Sequence, residues 1–120
     1  MQARILKGGV NIYDLLRTRY NVNVTDYENP LITSVGVTPL QIVNNNPRRL
    51  GLIIINLSAN IIYLSRTPSV SATNGIVLSS GGGNVTMTFE DDYVLPAKEW
   101  WVVASGGASA IYSDSIEIYD

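Results

Sequence analysis

From residue 31 onward, apolar side chains come in short runs separated by clusters of Asn, Gly, Pro and Ser. Short alternating runs bounded by such turn residues are typical of β-strands. Their close spacing predicts an all-β fold, an antiparallel and jelly-roll-like β-sandwich of about eight strands. The runs that we assign to strands are residues 32–37, 38–43, 50–56, 61–65, 75–78, 84–89, 100–104, 108–112 and 115–119.

The alternation also assigns inward faces. Val85 and Met87 alternate with threonines, and Ile116 and Ile118 flank Glu117. Because successive side chains of a strand point to opposite faces of its sheet, we expect these apolar residues to face the core and Glu117 to face solvent.

The run from Leu50 to Leu57 is apolar at almost every position. Such a run is either a central strand covered on both faces or a strand whose second face meets another subunit. The pattern alone leaves both interpretations open.

Before the sandwich, residues 1–30 form an N-terminal arm, so the predicted division is an arm over 1–30 and a β-sandwich domain over 31–120. Asn11 can cap a short helix that ends near Tyr20. A helix of two to three turns is marginal on its own, so its apolar residues should dock, and another subunit is one candidate. The arm residues that we expect at an interface are Ile12, Tyr13, Leu15, Leu16, Arg17, Arg19 and Tyr20.

Composition restricts the function. Charged residues make up only 15% of the chain, so we expect other copies or a partner to cover some of its apolar surface. A net charge of −2 disfavours nucleic-acid binding.

Cys and His are absent, which removes disulfides, thiolate nucleophiles, imidazole bases and zinc sites with Cys or His ligands. We therefore expect no enzyme, no cofactor and no metal site, and the lack of a long apolar stretch predicts no membrane partner and no cleaved signal peptide.

Two polar motifs have candidate chemistry. Glu90, Asp91 and Asp92 follow a predicted strand and could ligate calcium or form an acid/base pair. The spacing of a calcium loop is missing, which favours a solvated turn that blunts the strand end. The triplet from Asn56 to Ser58 matches a glycosylation acceptor, but nothing else in the sequence indicates secretion.

Two adjacent pairs of large side chains are further candidates for ligand or interface residues. Trp100 and Trp101 must point to opposite faces of one strand, which places one in the core and the other at a surface, interface or ligand site. We assign Trp101 to an interface, and Trp100 with Tyr63 to a possible saccharide platform. Arg48 and Arg49 could clamp a phosphate or carboxylate, although a solvated edge or an ion pair between subunits is commoner, and we assign both to an oligomer interface.

From about Pro47 onward, the chain has a recurring set of turn and core residues: Arg48-Arg49-Leu50, Ile53-Ile54-Ile55-Asn56, Ile62-Tyr63-Leu64-Ser65, Val70-Ser71, Asn74-Gly75-Ile76 with Leu78, Gly81-Gly82 and Trp100-Trp101-Val102-Val103-Ala104. In these residues the chain resembles small β-sandwich virion proteins of tailed bacteriophages. The resemblance implies a head decoration, head fibre or other minor virion protein, located in the virion, that forms a dimer or trimer and binds the major capsid protein or another virion protein. It brings no catalytic residues, and the alternative is a carbohydrate- or receptor-binding module of a fibre.

Overall fold

The computed structural model describes residues 11–25 and 30–119, and it confirms an antiparallel β-sandwich preceded by a short helix. Two sheets contain the nine strands of the described residues. The strands are β1 (Asn23–Thr25), β2 (Leu31–Val35), β3 (Leu40–Val43), β4 (Arg49–Asn56), β5 (Ile62–Ser65), β6 (Ile76–Leu78), β7 (Asn84–Thr88), β8 (Trp100–Ala104) and β9 (Ser109–Tyr119). The helices are α1 (Ile12–Tyr20), α2 (Phe89–Asp92) and a 3-10 turn (Leu95–Ala97).

The strand pairing is nested in the manner of a jelly roll. Counting inward from both ends, β2 pairs with β9, β3 with β8, β4 with β7 and β5 with β6, all antiparallel. The β4 and β9 strands pair laterally in the first sheet, and β5 and β8 do so in the second. The result is a long hairpin rolled into two sheets, in the orders β2-β9-β4-β7 and β3-β8-β5-β6.

Strand β4 shows why the run from Leu50 to Leu57 is so apolar. Leu52 and Ile54 point into the core between the sheets, whereas Ile53 and Ile55 lie on the outer face of the first sheet and are half-buried. Each fully buried Leu or Ile contributes about 1.5 to 3 kcal/mol of hydrophobic stabilisation. The core cluster comprises Val35, Leu52, Ile54, Ile62, Leu64, Leu78, Met87, Trp100, Val102, Ala104 and Ile111.

Strand β9 differs from its prediction in two ways. The two predicted strands at 108–112 and 115–119 are one continuous strand of 11 residues. Glu117 faces inward at 8% exposure and Ile116 faces outward at 40%, so the predicted faces of this end are wrong. The reason is that Ile111 fixes the inward face, and strict alternation along an unbroken strand then brings Ser113, Ser115 and Glu117 inward. The Glu117 carboxylate accepts a hydrogen bond of 2.7 Å from Asn46 Nδ2.

The predicted arm contributes to the sandwich itself. Strand β1 pairs with residues 117–119 of β9, and β2 pairs with residues 109–113, so both lie along the same edge of that strand. The first sheet therefore includes residues from the N-terminal side of the predicted boundary at residue 30.

A hydrogen-bonded network connects two loops, those after β4 and β6, at the end of the sandwich where β4 finishes. Asn56 is fully buried, and its side-chain amide donates to the carbonyls of Asn60, Leu78 and Ser79 at 2.7, 3.0 and 3.2 Å. Its Oδ1 accepts from the backbone N–H and the hydroxyl of Ser58. With its amide enclosed in this way, Asn56 is not an accessible glycosylation acceptor.

Candidate functional site

Helix α1 forms where the sequence predicts it. Asn11 Oδ1 accepts from the Asp14 N–H at 3.0 Å, and Asn21 ends the helix in the left-handed conformation. Ile12, Tyr13 and Leu15 are 59%, 55% and 43% exposed, and no residue of the helix is buried. With Leu16, they form an apolar stripe along one side of the helix, which we call the α1 stripe.

Tyr20 connects the end of this helix to the sandwich. Its hydroxyl donates a hydrogen bond of 2.7 Å to Glu90 Oε2, and its ring packs edge-on against Phe89 with the ring centres 5.3 Å apart. The hydrogen bond to Glu90 raises the pKa of Tyr20 above its ordinary value, as do desolvation and the charge of Glu90, while Arg19 opposes them. Tyr20, which we predicted at an interface, thus contacts its own domain.

The raised pKa gives a testable pH dependence. Because the folded protein holds the Tyr20 proton more tightly than the unfolded chain, the contribution to stability is fully present below about pH 10 and is lost as the pH rises through the raised pKa. In an NMR titration of the tyrosine ring carbons, Glu90→Gln is expected to lower the pKa of Tyr20, whereas Asp91→Asn should change it less. A pKa of Tyr20 that does not respond to Glu90→Gln would contradict the hydrogen bond.

The two arginines of α1 also make contacts near the helix. Arg17 Nε donates to Asn23 Oδ1 at 3.0 Å, and a guanidinium nitrogen of Arg17 lies 4.0 Å from an Asp14 carboxylate oxygen. The guanidinium carbon of Arg19 lies 6.0 Å from the centre of the Tyr20 ring. Arg17 thereby connects the helix to β1, while both arginines remain exposed beside the α1 stripe.

The paired arginines before β4 have different environments. Arg49 is only 1% exposed, and its guanidinium donates to the carbonyls of Asn44, Pro96 and Lys98 at 2.9, 3.1 and 3.3 Å. Arg48 is exposed, and its Nε donates to the Ile118 carbonyl at 3.0 Å. Arg49 is therefore an internal connection between two loops, which corrects its assignment to an oligomer interface.

The two tryptophans divide between core and surface as their adjacency requires. Trp100 is 4% exposed and its indole N–H donates to the Leu95 carbonyl at 3.0 Å, so its ring is enclosed and cannot stack on a saccharide. We correct its assignment as a possible ligand residue accordingly. Trp101 lies half-buried on the outer face of the second sheet, where its indole N–H donates to Glu99 Oε2 at 2.7 Å. Tyr63 lies on the same face beside a shallow groove of about 400 Å³.

The acidic residues after β7 have structural contacts. They are the last three residues of α2, where Asp92 Oδ2 accepts from the Thr88 N–H at 2.9 Å and Thr88 Oγ1 accepts from the Asp91 N–H at 3.3 Å. Glu90 accepts from Tyr20, as described above. The cluster therefore caps the end of a strand and anchors α1, which agrees with the predicted turn.

One exposed surface was not anticipated. Leu31 and Ile32 of β2 are 56% and 65% exposed at the edge of the first sheet. The strand predicted at residues 32–37 covers most of β2, but its position at a sheet edge depends on pairing with β9, some 80 residues away.

Neither a metal site nor a membrane span is found in the described part of the chain. Across residues 11–25 and 30–119, no three Asp or Glu side chains are placed to hold a metal ion together. No helix within these ranges is long and apolar enough to cross a membrane. No protein-family model, no curated protein and no solved structure matches this chain.

Proposed function

We propose that this chain is a non-catalytic structural protein of a bacteriophage virion, a capsid decoration or other minor virion protein that self-associates and attaches through its N-terminal arm. The observation that supports it is the α1 stripe, in which Ile12, Tyr13 and Leu15 are exposed on an otherwise well-capped helix. A helix of nine residues gains most of its stability from tertiary packing, so a covering surface would stabilise it.

The partner that best fits this helix presents an apolar groove with acidic groups at its rim. The α1 stripe offers aliphatic and aromatic side chains for such a groove, and Arg17 and Arg19 lie beside it. An amphipathic helix in a groove is a common mode of protein recognition. On a repeating lattice such as a capsid, several weak arm contacts within one oligomer also add up, because each further contact is intramolecular.

The remaining features favour a structural role over catalysis. The chain contains no Cys or His, and its densest carboxylate cluster caps β7 and binds Tyr20. The carbohydrate-binding alternative loses Trp100 to the core, and Trp101, on the same outer face as Tyr63, is half-buried with its indole N–H bonded to Glu99.

The arm can be tested with virus particles assembled without this protein. Such particles are mixed with purified protein and pelleted through sucrose, and bound protein is measured on gels. Wild-type protein is expected to pellet with the particles at a saturable stoichiometry. Leu15→Glu, which places a charge in the α1 stripe, should reduce binding about tenfold or more, as truncation of an apolar anchor does at other interfaces.

The matched control is Thr18→Glu, which adds the same charge to an exposed position that lies outside the α1 stripe, one turn from Leu15. It should bind like the wild type. Circular dichroism of both variants checks that the sandwich is folded. Equal binding of the two variants, or wild-type protein that stays in the supernatant, would contradict the proposal.

A further inference from the structure

The free edge of β2 is the least protected edge of the sandwich. One side of β2 pairs with β9, and no strand within the described residues pairs with its other side. The strand has the sequence Leu-Ile-Thr-Ser-Val, with no charge, no proline and no bulge in its register. Soluble proteins normally protect an apolar edge of this kind with lysine, proline, a bulge or a cover, because its unpaired backbone groups can bind another strand.

The other edge strands carry such protection. In the first sheet, the Asp92 carboxylate occupies the Thr88 N–H at the end of β7, and two further carboxylates follow Thr88. In the second sheet, β3 contains a register shift between Gln41 and Val43. Strand β1 at the edge of the first sheet and strand β6 at the edge of the second have only three residues each. The contrast sets β2 apart as an edge suited to a partner.

The hydrogen-bonding direction of β2 follows from the neighbouring ladder. The Ala110 carbonyl accepts from the Leu57 N–H, which directs the backbone groups of Ala110 and Tyr112 toward β4 and those of Ile111 toward β2. In antiparallel pairing, Thr33 opposite Ile111 therefore bonds to β9, and the N–H and C=O groups of Ile32 and Ser34 point to the free edge.

We infer that β2 binds the β2 strand of a second copy of this chain, antiparallel about a two-fold axis centred on Thr33. In this register, Ile32 of one copy exchanges backbone hydrogen bonds with Ser34 of the other, which uses the groups that point outward. Leu31 lies opposite Val35, and Thr33 lies opposite Thr33, both favourable cross-strand pairs. No like charges oppose each other, and the two first sheets join into one continuous sheet.

The β2 strand of a second copy fits this edge better than the β7 strand of a second copy does. Pairing β2 with β7 of a neighbour would have to displace Asp92 from the Thr88 N–H. Such head-to-tail pairing would also not close on itself unless its rotation formed a ring, whereas the two-fold pairing closes with two copies. The inference rests on the proposed function only in that both require self-association, and it uses a surface separate from the α1 stripe.

The pairing is testable by sedimentation velocity of the full chain between about 1 and 300 µM, the range in which small interfaces associate. Wild-type protein is expected to show a reversible monomer–dimer equilibrium. Ser34→Pro removes only an outward N–H and should shift the dissociation constant at least about tenfold, since proline is tolerated at strand edges that face solvent. Ile32→Lys should do the same, because lysine is a natural edge protector.

Two control variants and one local measurement complete the experiment. Ser34→Ala keeps the N–H, and Thr86→Lys places the same lysine on the other edge of the same sheet, so both should dimerise like the wild type. Amide hydrogen exchange of Ile32 and Ser34 should slow as the protein concentration rises. A wild-type chain that stays monomeric, forms a trimer, or dissociates with Thr86→Lys but not with Ser34→Pro would overturn the inference.

The outcome is also separable from that of the proposed function. Leu15→Glu should remain dimeric while losing attachment to particles. Ser34→Pro should lose the dimer while each monomer keeps its α1 stripe. Failure of one result without the other therefore identifies which of the two proposals is wrong.

Discussion

Replacing Arg49 with methionine is expected to lower the free energy of unfolding by about 3 to 5 kcal/mol, one of the largest losses that a single substitution in this chain should cause. Methionine fills a similar apolar volume but cannot donate to the carbonyls of Asn44, Pro96 and Lys98. The Pro96 carbonyl is buried, and a buried acceptor left without a partner costs about 1 to 3 kcal/mol. The part-buried hydrogen bonds to Asn44 and Lys98 are lost as well. The loop before β4 and the segment before β8 would lose the side chain that connects them.

Arg49→Lys should lower the free energy of unfolding by less than Arg49→Met does. Lysine keeps the positive charge, but its ammonium cannot reproduce the planar fork with which a guanidinium reaches separate acceptors. The expected loss is about 2 kcal/mol, which separates the effect of geometry from that of charge.

Urea unfolding followed by tryptophan fluorescence measures these losses of stability. The slope of the free energy of unfolding against urea concentration should be the same for all variants. The matched control is Arg48→Met, the same change at the exposed neighbour, for which the expected loss is below about 1 kcal/mol. If Arg48→Met proved more destabilising than Arg49→Met, the internal role of Arg49 would be wrong. A dimer that dissociated on Arg49→Met without any loss of monomer stability would instead restore its assignment to an interface.

The two arginines and the two tryptophans show which features of side-chain orientation the sequence could predict and which it could not. Alternation along a strand requires that adjacent Trp100 and Trp101 face opposite ways, and they do. Which of the two faces the core depends on the register of β8 against β3 and β5, and those contacts are distant in the chain. The same applies to Arg48 and Arg49, since a buried arginine requires carbonyls that only the folded loops bring together.

For the same reason, features that depend on neighbouring residues were predicted better than features that depend on strand pairing. The helix cap at Asn11 and the all-β class depend on neighbouring residues, and they were predicted correctly. The inward orientation of Glu117 was not predicted, because the flanking isoleucines give a local pattern that the alternation along the continuous strand β9 overrides. The edge position of β2 was also beyond local reasoning, although it carries the inferred dimer surface.

The second large loss of stability is expected for Asn56→Asp, which keeps the size of the side chain and removes only its donor group. The amide of Asn56 donates to three carbonyls from the loops after β4 and β6, and a carboxylate in its place would oppose those carbonyls without a hydrogen to give. A buried charge facing acceptors is destabilising, so the free energy of unfolding should fall by about 3 to 5 kcal/mol at pH 7. Ser58 would keep its acceptor, so the loss is specific to the donor side.

Thermal and urea unfolding at several pH values distinguish this account from a general loss of packing. Part of the loss should be recovered as the pH falls toward about 4, because a protonated carboxyl can again donate one hydrogen, and the recovery should vanish as the pH rises. Asn84→Asp is the matched control, because Asn84 is exposed and donates only to the nearby Gly82 carbonyl, and it should change stability by less than about 0.5 kcal/mol. If Asn56→Asp and Asn84→Asp were equally mild, the loops at this end would be held by their backbone contacts, and Asn56 would not be the residue that joins them.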